Sequence, residues 1–83
     1  MNLDELRTQI DQIDLLIQDL FKKRMALSKQ IGIYKREHQL PVLDTKRELE
    51  LLEQRRQSFK DETLWPYYES LLKEMLRLSK EIQ

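Results

Sequence analysis

Arg24 stands in an amphipathic segment where a leucine would be expected. From Leu3 the apolar stripe reads Leu3, Leu6, Ile10, Ile13, Ile17, Leu20, Arg24, Leu27, Ile31, Tyr34, in alternating steps of three and four that keep every member on one side of a helix. A guanidinium in such a seam is costly to desolvate unless an anion or several acceptors meet it, so Arg24 requires a partner. Lys35 follows about 20° round the helix and about 16 Å along its axis. The two long side chains can therefore lean toward a small anion held between them. Arg7 precedes Arg24 by about 25 Å on the same rod, too far to touch the same small molecule. Two such helices packed antiparallel about residue 18 would set Arg7 of one chain opposite the Arg24–Lys35 interval of the other. The spacing thus suggests two equivalent cationic sites in a homodimer.

The elements that must position these cations are helices. One glycine and two prolines, with abundant Leu, Glu, Lys, Arg and Gln, point to an all-α chain. The first helix is expected from Asn2 or Leu3 to Glu37, ended by His38, Gln39 and the Leu40-Pro41 step, because a residue before proline avoids the helical region. Asp44 and Thr45 open a second helix, and Thr45-Lys46-Arg47-Glu48 has the form of a capping box. Leu49, Leu52, Arg56 and Phe59 continue one of its faces, and it is expected to fade between Ser58 and Asp61. A third begins between Thr63 and Pro66, where proline suits the first turn, and runs to the C-terminus. One of its faces carries Tyr68, Leu72, Leu76, Ser79 and Gln83; a neighbouring face carries Tyr67, Leu71, Met75, Leu78 and Ile82. A first helix of about 35 residues extends about 52 Å, more than two shorter helices of one chain can cover. It asks for a second copy.

Composition narrows the function. The 83 residues make a single domain, 1–83, at the small end for independent stability. No cysteine is present and there is one histidine, which excludes a disulfide framework, a thiolate metal site and a multi-histidine site within one chain. Fifteen basic and fifteen acidic residues are interspersed, unlike the basic face or tail of a general nucleic-acid binder. Neither a signal peptide nor an apolar run of membrane-spanning length is seen, so a cytoplasmic protein without nucleic-acid or membrane partners is expected.

In order, Arg7, Arg24, Lys35, Asp44, Arg47, Glu48, Ser79 and Gln83 resemble the all-helical class of chorismate mutases. The combination of Leu6-Arg7 to Asp14, the arginine seventeen residues after Arg7, Gly32 to Lys35, and Pro41-Val42 through Asp44, Arg47 and Glu48 carries the likeness across essentially the whole chain. The resemblance implies conversion of chorismate to prephenate, in the shikimate route to phenylalanine and tyrosine, without cofactor or metal. It further implies an intertwined homodimer of three-helix chains with shared active sites. Arg7 of one chain and Arg24 of the other would grip the substrate carboxylates. Lys35 and Gln83 would face the ether oxygen of the breaking bond, and Glu48, with backbone near Asp44, would hold the ring hydroxyl. Ser79 would assist a carboxylate, Arg47 would complete the charge network, and Ile31 would lie against the ring.

Blander readings stand beside these. Arg24 could pair with a glutamate in the seam, and Glu48 could close the capping box on Thr45. Asp44 reads as an N-terminal helix residue, and Arg47 could pair with Glu50 or Asp44 along the helix. Gly32 costs a helix about 1 kcal/mol relative to alanine, which signals a close approach or a local packing need. His38 reads as a loop residue, and Trp65, Tyr67 and Tyr68 read as core or interface packing. Two rival functions remain, an isochorismate pyruvate lyase of the same fold and a non-catalytic helical dimerisation or allosteric module.

Overall fold

A computed structural model describes residues 1–83 as three helices without a strand: α1 (Leu3–Glu37), α2 (Thr45–Phe59) and α3 (Trp65–Ile82). Each boundary has a local cause. Asn2 caps α1 by accepting from the Glu5 amide at 2.9 Å while Glu5 accepts in return from the Asn2 amide at 3.3 Å, a capping box of the kind the sequence suggested elsewhere. His38 closes the other end, stacked on Tyr34 with ring centroids 3.9 Å apart. At α2 the cap is Asp44, whose Oδ1 accepts from the Arg47 amide at 3.0 Å. The expected Thr45–Glu48 capping box is therefore corrected. Asp44 captures the orphan donor one residue earlier, which leaves Glu48 free to face another helix. Lys60, with φ 58°, turns the chain out of α2. Asp61 Oδ1 then accepts from the amides of Thr63 and Leu64, both at 3.0 Å, before Pro66 sits in the first turn of α3.

α3 packs against both α1 and α2. Its Leu72 and Ser79 are buried, with Tyr68, Leu76 and Gln83 of the same face partly so, whereas Tyr67 and Leu71 of the neighbouring face are exposed. Phe59, Trp65 and Tyr68 seal the α2–α3 corner, Phe59 stacking on Tyr68 at 4.9 Å and meeting Trp65 edge-on at 5.7 Å. Against α1 the contact is made by small residues. Ser28 and Gly32 are buried there, and a Cβ on Gly32 would fall 2.7 Å from the Gln83 carbonyl oxygen and 2.8 Å from its Cα. Glycine is what lets the end of α3 reach α1.

Apart from Arg24, which bonds Ser79, the apolar seam of α1 is left largely uncovered by α3. Leu3, Ile17 and Leu27 are 59%, 55% and 58% exposed, and Leu6, Ile10, Ile13, Leu20, Ile31 and Tyr34 are exposed like them. The chain measures 54 × 26 × 16 Å. Its radius of gyration is 16.0 Å where a compact chain of this length has about 12 Å. It exposes 7053 Å² where a compact chain of its mass exposes about 5,300 Å². The excess of about 1,700 Å² is surface that no part of the chain covers.

Candidate active site

Where α1, α2 and the last turns of α3 converge, a cavity of about 430 Å³ opens, a size suited to a small molecule. α1 contributes Arg24, Ile31 and Lys35; the loop and the start of α2 contribute Val42, Asp44, Arg47 and Glu48; α3 contributes Ser79 and Gln83. Eight residues singled out from the sequence thus share one wall-to-wall space. The ninth, Arg7, is exposed on α1 and does not line it. Arg55 and Lys80 line the cavity as well and were missed. A signal for each existed, since Arg55 lies seven and eight residues after Glu48 and Arg47 on one α2 face, and Lys80 lies four after Leu76.

The bonding pattern shows which groups are held and which are left for a ligand. Arg24 donates through Nη1 to Ser79 Oγ, and Ser28 Oγ donates to the same oxygen at 3.0 Å. A guanidinium can only donate, so Ser79 Oγ accepts from Arg24, and its rotatable proton can turn to Ser28 or to an acceptor in the cavity. Lys35 Nζ donates to the Val42 carbonyl at 2.9 Å and to Gln83 Oε1 at 3.1 Å. An ammonium has no acceptor, so this contact fixes the Gln83 amide with its oxygen on Lys35 and its NH₂ donors elsewhere. Arg36 donates to the Gln83 backbone carbonyl and anchors the end of α3 to α1.

Arg24, Lys35 and Arg47 have no carboxylate partner; the chain's ion pairs all lie on other cations. The seam pairing for Arg24 and the intrahelical pairs for Arg47 are therefore absent. Lys80 Nζ instead meets Glu48 Oε1 at 2.7 Å across the cavity edge, which also replaces the capping-box role of Glu48. Asp44 is the other acid, and its side chain serves the α2 cap. Five cations face two carboxylates in one concave space. Such a site favours a small molecule with more than one negative charge.

Comparison with known proteins gives the same direction. The sequence model of chorismate mutase type II matches residues 6–83. The chain belongs to the chorismate mutase type II family. It is 41% identical over 54 residues to the T-protein of Haemophilus influenzae, a stretch that covers 65% of this chain and 14% of that protein. The chain therefore spans a small part of that relative's length. No solved structure matches it. No helix is long and apolar enough to cross a membrane.

A second, apolar groove of about 570 Å³ runs between α1 and α3, walled by Ile17, Leu20, Phe21, Leu72, Met75 and Leu78. It shares Arg24, Leu51 and Arg55 with the cationic cavity, so the two adjoin at these side chains.

Proposed function

We propose that this chain is a chorismate mutase that works as an intertwined homodimer, each cavity completed by Arg7 of the other chain. The observation that carries the reading is the group of Arg24, Lys35 and Arg47, free of carboxylates, around a Gln83 amide with its donors unoccupied. Chorismate is a dianion that rearranges in one concerted step: the ether carbon–oxygen bond opens as a carbon–carbon bond forms, and no nucleophile intervenes. Such a reaction asks a protein for two things, a compact conformer and stabilisation of charge gathering on the ether oxygen.

The planar forks of Arg7 and Arg24 suit carboxylates, and Ser79 offers a further donor to one of them. Lys35 supplies a point charge at the ether oxygen, joined by a neutral hydrogen bond from Gln83 Nε2. Glu48 accepts from the ring hydroxyl, Asp44 brings the α2 N-terminus near it, Arg47 completes the positive field, and Ile31 packs against the ring.

Two features support the dimer. Two chains each covering about 1,700 Å² would bury about 3,400 Å² in total, within the range of obligate homodimers. The apolar groove beside the cavity accommodates the seam of a partner's α1, and antiparallel pairing about residue 18 carries that chain's Arg7 toward Arg24 and Lys35. The reaction is followed by loss of chorismate absorbance, and the product separates the alternatives. Prephenate is expected from the purified chain. Pyruvate released from isochorismate in its place would favour the lyase, and binding without turnover would favour a regulatory module.

A further inference from the structure

Lys80 belongs to neither the seam nor the set that the family resemblance singled out, yet it reaches into the cavity wall. It follows Ser79 directly, and its side chain crosses from α3 to α2 to meet Glu48 Oε1 at 2.7 Å, the two side chains 31% and 27% exposed. The other ion pairs of the protein lie on more open surface and join residues close in sequence. This one joins different helices at the rim of the site.

The placement solves a problem that Glu48 poses. A carboxylate in a cavity built for a dianion repels its ligand unless its charge is offset nearby. Arg24 and Lys35 are engaged with Ser79, Val42 and Gln83, and Asp44 is occupied as the α2 cap. Arg47 and Arg55 line the same cavity without an ion pair, and Lys80 is the one cation within ion-pair distance of Glu48. Because it takes Oε1, Oε2 is left to accept a hydroxyl proton.

We propose that Lys80 is a positioning residue, which holds the Glu48 carboxylate in orientation and offsets its charge so that a dianion with a hydroxyl can bind. The proposal rests on the mutase reading. Its content is that Lys80 acts through Glu48 and not on the substrate directly.

A double-mutant cycle separates that role from a strut between helices. Steady-state kinetics with chorismate are compared for the wild-type protein, Lys80→Met, Lys80→Arg, Glu48→Gln and the Lys80→Met/Glu48→Gln double variant. Lys80→Met, which keeps the apolar stem, is expected to raise KM about tenfold with a smaller change in kcat. In the Glu48→Gln background the same change should move KM by less than about twofold, and Lys80→Arg should stay within about threefold of wild type. Should Lys80→Met not fold, Lys80→Gln completes the same cycle. Equal penalties in both backgrounds, or none in either, overturn the proposal while leaving the mutase intact. A folded wild-type protein that leaves chorismate unchanged overturns the mutase reading itself, and this role for Lys80 falls with it.

Discussion

Arg77 on the outer face of α3 donates to Glu74 through Nε at 2.9 Å and to Glu81 through Nη1 at 2.8 Å, whereas Arg24 on the cavity wall meets a serine hydroxyl and no carboxylate. Both are arginines on helices rich in acidic residues. The outer one is satisfied within its own helix, by neighbours three and four positions away. The inner one stands in a stripe whose neighbours at those spacings, Leu20, Leu27 and Ser28, hold no charge. Its field is left for something that is not part of the chain. Exposure alone would have ranked the two the other way, since the partly buried cation has the greater need of a counterion.

If that contrast is functional, removing the unpaired cations should have the largest effect. On the intertwined reading, Arg7→Ala and Arg24→Ala homodimers are each expected to be nearly inactive, because each would lack one anchor in both sites. Unfolded together in equal amounts and refolded, they should regain activity. Half of the dimers are then mixed, and in each of these one site joins intact Arg7 to intact Arg24, so about a quarter of all sites are whole. Verified heterodimers that recover nothing would place both arginines in one subunit's site and end the intertwined reading.

Lys35→Ala comes next, with kcat/KM lowered by roughly 100-fold or more, since a donor aimed at developing charge is worth roughly 3 to 4 kcal/mol. The protein should stay folded, because the bonds that Lys35 makes are to the Val42 carbonyl and the Gln83 amide oxygen at the cavity edge. Activity within a few-fold of wild type in a folded variant would remove Lys35 from the chemistry.

Gly32→Ala should act at one remove. Alanine favours a helix by about 1 kcal/mol over glycine, but its Cβ would stand 2.7 Å from the Gln83 carbonyl oxygen. The end of α3 must then move, and Gln83 with it. A fall in kcat/KM of about tenfold is expected, as small displacements of a positioned donor are costly. The melting temperature followed by circular dichroism should fall as well, since the atoms that the Cβ meets are backbone and the Gln83 carbonyl is held by Arg36. Unaltered kinetics would mean that the α3 terminus adjusts without consequence for the site.

The parts of this molecule that could be read beforehand are those set by short-range rules. The end of α1 followed from Leu40-Pro41, and the inward face of α3 was one of two proposed, the one that ends in Ser79 and Gln83. Eight of the nine candidate residues line the cavity; periodicity had set Arg24, Ile31 and Lys35 together on α1 and Ser79 with Gln83 on α3, whereas Asp44, Arg47 and Glu48 came from the family resemblance. What escaped was a choice between adjacent candidates or a contact across helices. Asp44 and Thr45 both have side chains able to cap, and only the backbone geometry selects Asp44. Glu48 could be given a local partner from sequence, but its real one, Lys80, lies on another helix. Trp65 and Tyr67 looked alike, yet Trp65 is 4% exposed and Tyr67 76%, because one faces Phe59 and the other points away.

The smallest effect should come from the paired arginine. The Arg77 hydrogen bond lowers the Glu74 carboxyl below the ordinary carboxylate range; desolvation opposes it, and attraction between the two charges adds a lesser lowering. A carboxyl held low in the folded state contributes stability above its unfolded pKa, and that contribution is lost as pH falls through the lower folded value. Both partners are well exposed, so solvent screens most of the attraction. Arg77→Ala should therefore return the Glu74 carboxyl toward its ordinary range, as followed by carboxyl NMR titration. Chorismate turnover at neutral pH should stay within about twofold of wild type, since Arg77 lines neither the cationic cavity nor the apolar groove. If instead Arg77→Ala lowers activity as far as Lys35→Ala does, the distinction between satisfied and unsatisfied cations fails as a guide to this site.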